Sequence, residues 1–326
     1  MEGWKVPEKF LPIPEGISRE LHIETQRPPY QGNFTIPKNP DDIEFAVRRI
    51  ESFYIPERLQ KAKEIFKGKC SKTLLNGISC YDIVPQHAIL PNKVILHVHG
   101  GGFLLNNGEG AEIEGMLLCE HSSIRVCSVD YRQLPKHPFP AGLDDLVTVY
   151  SALLRGFRPG DIGVFGTSAG GGLSASLILK LKELSLPLPV VVGLGTPWID
   201  LTKTGDTYRT NENVDNLLSR YDGPVEEVAK LYAGTFGLKD PLVSPIYGDL
   251  SLFPPTILIS GTRDLLLSCT VRMHRKLRNL NIEAALHVFE AGSHAFYIQV
   301  PEAEESKQAF GEISKFFRRH LVENDF

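Results

Sequence analysis

Gly166-Thr167-Ser168-Ala169-Gly170 sets a serine between two glycines, directly after the run Ile162-Gly163-Val164-Phe165 and directly before an apolar helical stretch. A strand that turns this sharply into a helix strains the backbone of its central residue, and the residues two before and two after must be small to avoid collision. Such an elbow lifts Ser168 Oγ off the sheet and places it at a helix N-terminus, where unpaired N–H groups favour developing negative charge. A phosphate-cradling turn would need a P-loop lysine or a G-x-G-x-x-G pattern, and this segment has neither. A second set is independent of the first: Val94-Ile95-Leu96-His97-Val98 runs into His99-Gly100-Gly101-Gly102-Phe103. Consecutive glycines cost backbone entropy, which makes sense where N–H groups must approach a ligand with no Cβ in the way. The N–H groups of Gly101, Gly102 and Ala169 are expected to surround the oxyanion of a tetrahedral intermediate, where losing one donor costs about 10²–10³ in rate.

A nucleophilic serine needs a base, and the base needs an orienting acid. In open α/β sheets ligands gather at the carboxyl ends of the strands, so both partners are sought just past such ends. Thr256-Ile257-Leu258-Ile259-Ser260 leads into Gly261-Thr262-Arg263-Asp264, and the run Ala284 to Val288 leads into Glu290-Ala291-Gly292-Ser293-His294. The order Ser168, Asp264, His294 is the one used by hydrolases with this elbow. Asp264 alone reads equally as a helix N-cap, and His287 within its strand reads as structural. His97 and His99 share a strand face, but no further ligand follows at metal spacing, so no metal site is expected and His99 is read as bracing the glycine loop.

Short β-rich runs must carry these groups: Val94 to Val98, Arg125 to Val129, Ile162 to Phe165, Val190 to Leu194, Thr256 to Ser260 and Ala284 to Val288. Helical patterns at 142–155, 170–184, 270–280 and about 302–321 alternate with them, which implies parallel strands covered by helices on both faces. Residues 27–40 have a loop composition, and from Asp41-Asp42 the positions Ile43, Phe45, Ala46, Ile50 and Phe53 recur at helical spacing. The stretch 200–240 is too long for an ordinary connection and contains a predicted helix from Pro224 to Phe236. The division expected is 1–60 as N-terminal cap helices and 61–326 as an α/β core, with 200–240 inserted over the sheet.

Lys plus Arg number 35 against 39 Asp plus Glu, a net charge of −4 over 326 residues, which argues against phosphate-driven nucleic-acid binding. No apolar run reaches membrane-spanning length, and the start lacks a secretory layout, so a soluble cytoplasmic protein is expected. Five cysteines with no C-x-x-C disfavour a disulfide framework and a zinc ribbon.

With HGGGF at 99–103, GTSAGG at 166–171, Asp130-Tyr131-Arg132, His137-Pro138-Phe139-Pro140-Ala141, Pro197-Trp198-Ile199-Asp200-Leu201, Ser244-Pro245, GTRD at 261–264 and GSHAF at 292–296, residues 80 to 320 resemble the hormone-sensitive-lipase-like (bacterial family IV) carboxylesterases. The resemblance implies an α/β-hydrolase fold, an eight-stranded, mostly parallel sheet with a helical cap, and no cofactor. It places nucleophile, acid and base on Ser168, Asp264 and His294, and oxyanion donors on Gly101, Gly102 and Ala169. Thr167 stands where many members carry Asp, as in the GTSAG branch, and Lys136 stands where an acidic residue is usual. Phe53, Tyr54, Leu217, Leu218, Val228 and Tyr232 offer apolar cap positions, and Phe103, Trp198 and Phe296 beside the motifs are expected to contact substrate in an acyl pocket of modest size. Hydrolysis of small to medium acyl esters through an acyl-enzyme is the expected activity. A lactone hydrolase with the same triad, and a non-catalytic receptor such as the plant gibberellin receptors, are the alternatives; the receptors have lost the histidine that His294 represents here. Family likeness also suggests a homodimer through an edge strand near Ala284 to Val288.

Overall fold

The computed structural model describes residues 10–29 and 36–322; the start of the chain and residues 30–35, part of the expected loop, lie outside the described residues. In chain order the elements are α1 (Arg19–Thr25), α2 (Pro40–Ile65), β1 (Lys69–Leu75), β2 (Ile78–Val84), β3 (Val94–Val98), α3 (Glu109–Ser122), β4 (Arg125–Val129), α4 (Ala141–Leu153), β5 (Ile162–Thr167) and α5 (Ala169–Glu183). There follow β6 (Val191–Gly195), α6 (Thr207–Thr210), α7 (Pro224–Ala233), β7 (Thr256–Gly261), α8 (Leu267–Asn279), β8 (Ala284–Phe289), α9 (Phe296–Gln299) and α10 (Glu304–Val322).

One eight-stranded sheet runs in the order β1-β2-β4-β3-β5-β6-β7-β8, with β1, β2 and β4 joined antiparallel and every other pair parallel. This is the mostly parallel α/β architecture expected. The central strands β3 and β5 are buried at every position, which is why they read as unbroken apolar runs rather than alternating ones. Two apolar cores result, one on each face: residues of α4, α5 and α8 pack in one, residues of α3 and α10 in the other.

Among the elements that the expected pattern does not contain are β1, β2 and α3. β1 and β2 form a hairpin at Asn76-Gly77, whose φ of 49° and 86° suit a tight two-residue hairpin turn. α3 is buried on nearly all sides, Glu112 and Glu114 included, so it shows no amphipathic stripe. α2 extends to Ile65, past the boundary drawn at residue 60, and the helix expected over 224–236 ends at Ala233, before Gly234 with φ 55°. Among the described residues no helix is long and apolar enough to cross a membrane.

Candidate active site

The chain leaves β3 for β4 on one side and returns past β3 to β5 on the other, so the carboxyl ends of β3 and β5 flank a topological switch point, where such sheets bind ligands. Val98 is registered against Gly166, which makes the glycine loop and the serine turn neighbours. Ser168 has φ 59° and ψ −122°, held by its N–H donating to Gly195 O at 2.8 Å and by Trp198 N–H donating to Ser168 O at 2.9 Å. A Cβ on Gly166 would stand 2.4 Å from Gly170 O, and one on Gly170 would stand 2.0 Å from Val98 O. The small residues on either side of the serine therefore answer a steric demand that exists in the fold. At Gly101, with φ 114°, an added Cβ would meet Leu105 O at 2.3 Å.

Ser168 Oγ lies 2.8 Å from His294 Nε2, and His294 Nδ1 lies 3.0 Å from Asp264 Oδ1. All three side chains are buried. Because an ionised carboxylate only accepts, Nδ1–H donates to Asp264 and leaves Nε2 to accept the serine proton. Asp264 also receives Leu266 N–H at 2.9 Å and the Ser260 hydroxyl at 2.7 Å, which fix its orientation. Burial opposes charging of His294, but the Asp264 carboxylate, with Asp215 contributing, outweighs it and holds the imidazole above its ordinary range.

Asp215 is the residue that motif reading missed. It is fully buried in the inserted segment, and its carboxylate accepts N–H from Leu217 at 2.9 Å, Leu218 at 3.0 Å, Leu265 at 2.7 Å and His294 at 3.3 Å. Burial pushes its pKa up, yet four N–H donors around it favour the carboxylate. Asp215, Asp264 and His294 bring ligand atoms within 4.8 Å of one another, a spacing a metal could use, but each carboxylate oxygen already accepts hydrogen bonds.

Beneath the serine, the Thr167 hydroxyl donates to Glu114 Oε1 and meets Tyr297 Oη at 2.6 Å, while Glu114 Oε2 lies 3.0 Å from His97 Nε2. His97 Nδ1 faces Ser128 Oγ, whose own proton goes to Ala111 O, so Nδ1–H is the donor there. His97 is thus committed to this network, and His99 turns elsewhere: its Nδ1 bonds Gly100 O at 2.8 Å and its ring stacks on Tyr131 at 4.4 Å. Burial lowers the His99 pKa to about 4, so the ring beside the glycine loop is neutral at physiological pH.

The serine opens onto a cavity of about 630 Å³ whose wall includes Gly100, Gly101, Gly102, Trp198 and His294 from the core, with Tyr54, Leu217, Leu218 and Val228 from α2 and the insertion. Ala169 is buried at the first position of α5, where its N–H has no intrahelical partner. Of the three expected substrate contacts, only Trp198 lies on this wall. Phe103 is buried behind it, stacked on Tyr232 at 3.6 Å and beside Trp198 at 5.6 Å, and Phe296 packs against Phe289 and Tyr297 in the other core. The expectation for Phe103 and Phe296 is corrected accordingly: both rings are consumed by packing. Phe53 is 74% exposed and Tyr232 is covered by Phe103, so neither lines the cavity. Lys136 has its carboxylate partner in Glu44 of α2, at 2.6 Å.

Residues 95–298 match a family described as having the alpha/beta hydrolase fold. An esterase of Acinetobacter venetianus is 31% identical over 225 residues, 69% of this chain and 74% of its own. The crystal structure of an esterase called E25 superposes with a TM-score of 0.93 at 38% identity, covering 98% of each chain. An esterase described as belonging to the bacterial hormone-sensitive lipase family superposes at 0.79 and 28% identity, over 93% of this chain and 97% of that one.

Proposed function

Because the chain belongs to the α/β-hydrolase family, among its hormone-sensitive-lipase-like esterases, we propose that Ser168, His294 and Asp264 are the nucleophile, base and orienting acid of its ester hydrolysis. The protein is a carboxylesterase; among its relatives and structural neighbours are several esterases and an acetyl-hydrolase, which favour neither the lactonase nor the receptor alternative.

The observation that carries the residue assignment is the relay from Ser168 Oγ through both nitrogens of His294 to Asp264, at 2.8 and 3.0 Å, on the wall of an apolar cavity. Ser168 attacks the ester carbonyl as Nε2 takes its proton, and the raised basicity of His294 favours that transfer. The oxyanion meets the N–H groups of Gly101, Gly102 and Ala169. The imidazolium then protonates the leaving alkoxide, and the same nitrogen later activates water to release the acid. Every step uses side chains and amides of this chain. A cavity of about 630 Å³ suits small to medium acyl groups.

We also read α1, α2 and the 200–240 insertion as a cap, since Tyr54, Leu217 and Val228 close the cavity from above the sheet. The exposed Val288 on edge strand β8 supports a homodimer through that edge, to be checked by light scattering, and five free thiols support a reducing, cytoplasmic address, to be checked by cell fractionation. For the triad, Ser168→Ala is expected to cut turnover of a short-chain nitrophenyl ester by about 10⁴-fold or more and to abolish labelling by a fluorophosphonate. Unchanged turnover in the pure variant would overturn the assignment.

A further inference from the structure

Arg58 reaches the catalytic cavity from α2 and lines it together with Ser168 and His294. Its guanidinium carbon stands 4.6 Å from the centre of the Tyr54 ring, and one Nη donates to Gln299 Oε1. Among the described residues no carboxylate pairs with it. The nearest acidic influences are spent elsewhere: Glu24 pairs with Arg27 at 3.0 Å and Glu57 with Lys61 at 3.4 Å. The carboxylate among the lining residues, Glu114, is held by His97 and Thr167. Burial acts to lower the Arg58 pKa, but a guanidinium remains charged in proteins, so desolvation without a counter-ion is a standing cost.

Tyr54 and Gln299 fix the direction of the fork. The Tyr54 hydroxyl donates to Asn106 Oδ1 at 2.7 Å, and the Asn106 amide reaches Gly100 O at 3.2 Å, so the platform under Arg58 is tied to the glycine loop. One of five N–H donors is used by a neutral amide, which leaves most of a planar fork built for carboxylate geometry.

We propose that Arg58 is a specificity residue and that the cavity takes esters bearing a second, ionised carboxylate remote from the reacting carbonyl, which pairs with this guanidinium. The proposal rests on the esterase reading of the same cavity. It names a class: half-esters of dicarboxylic acids if the carboxylate sits on the acyl side, or esters of hydroxy-acids if it sits on the alcohol side.

The test compares kcat/KM for matched substrates in wild type and Arg58→Gln. On the acyl side the pair is the mono-nitrophenyl ester of adipic acid and its terminal carboxamide, a chain long enough to limit self-attack by the carboxylate. On the alcohol side the pair is 4-acetoxybenzoate and 4-acetoxybenzamide. The anion-to-amide ratio is expected to fall by about ten- to a hundredfold in the variant for one of the two pairs, the range of a charged hydrogen bond. Equal ratios in both enzymes for both pairs would overturn the proposal, because a merely structural Arg58 lowers both substrates together. Should Arg58→Gln fail to fold, inhibition of wild-type cleavage of nitrophenyl acetate decides. Adipate or 4-hydroxybenzoate must compete at least about tenfold better than its own diamide or amide, and equal competition refutes the pairing. Wild type inert on nitrophenyl acetate would instead sink the esterase reading, and calorimetric titration of adipate against adipamide into wild type and Arg58→Lys still reports on Arg58, because the other lining arginine, Arg220, is common to both proteins.

Discussion

Asp215→Asn changes one oxygen for an NH₂ group behind the base without touching a reacting atom. The wild-type carboxylate accepts two N–H donors on each oxygen, Leu217 and Leu218 on one and Leu265 and His294 on the other. An amide has one accepting oxygen, so whichever way it turns, two N–H groups face an NH₂. Each orphaned buried donor costs about 1–3 kcal/mol, and the weak 3.3 Å bond to His294 puts the total near the lower end, about 2–4 kcal/mol. The electrostatic part is separable. Ligand atoms of Asp215 and His294 lie within 4.8 Å, close enough for the carboxylate charge to act on the imidazole through a poorly screened interior. The sign follows from the base's role. His294 must be neutral to accept the serine proton, and Asp215 helps raise its pKa, so removing the charge moves the acid limb of kcat/KM to lower pH. On the alkaline plateau the variant is slower, by about ten- to a hundredfold, because the imidazolium formed in the transition state has lost part of its stabilisation. The assay is a pH profile of nitrophenyl ester hydrolysis on protein shown to be folded by a cooperative melt. An acid limb that stays put, or moves to higher pH, would refute the claim that Asp215 is charged and coupled to the base.

Gly170→Ala puts a methyl group 2.0 Å from Val98 O with backbone on both sides, so the elbow must open; a stability loss of about 1–3 kcal/mol or more in urea unfolding is expected, with fluorophosphonate labelling of Ser168 slowed. A variant as stable and as reactive as wild type would show that β3 and α5 are not in such contact. Thr167→Val keeps the shape but removes the hydroxyl between Glu114 and Tyr297, leaving both without that partner; thermal unfolding should reveal a loss of about 1–3 kcal/mol, whereas an unchanged melt would mean that water replaces the hydroxyl.

What motif reading found and what it missed divide along a physical line. Gly166, Gly170 and Gly101 were legible because the demand they answer is steric and local, and a residue that must lack a Cβ announces itself whatever lies across from it. Asp264 and His294 were legible because each follows its strand by a few residues, and the parallel sheet converts that offset into a common edge. β1 and β2 carried their own signal in Asn76-Gly77, whereas α3 had none: a helix buried all round has no polar face to set its period. Phe103 and Phe296 were misjudged because nearness in sequence to a motif says nothing about which side of the sheet a ring enters. Asp215 and Arg58 belong to a different category. Asp215 reaches His294 across 79 positions and Arg58 reaches Gln299 across 241, and both act through charge, which no short pattern encodes. The reaction type of this protein is thus written in short-range sterics at strand ends, while the proposed tuning by Asp215 and the proposed ester choice by Arg58 rest on charges that α2 and residues 200–240 carry in from a distance.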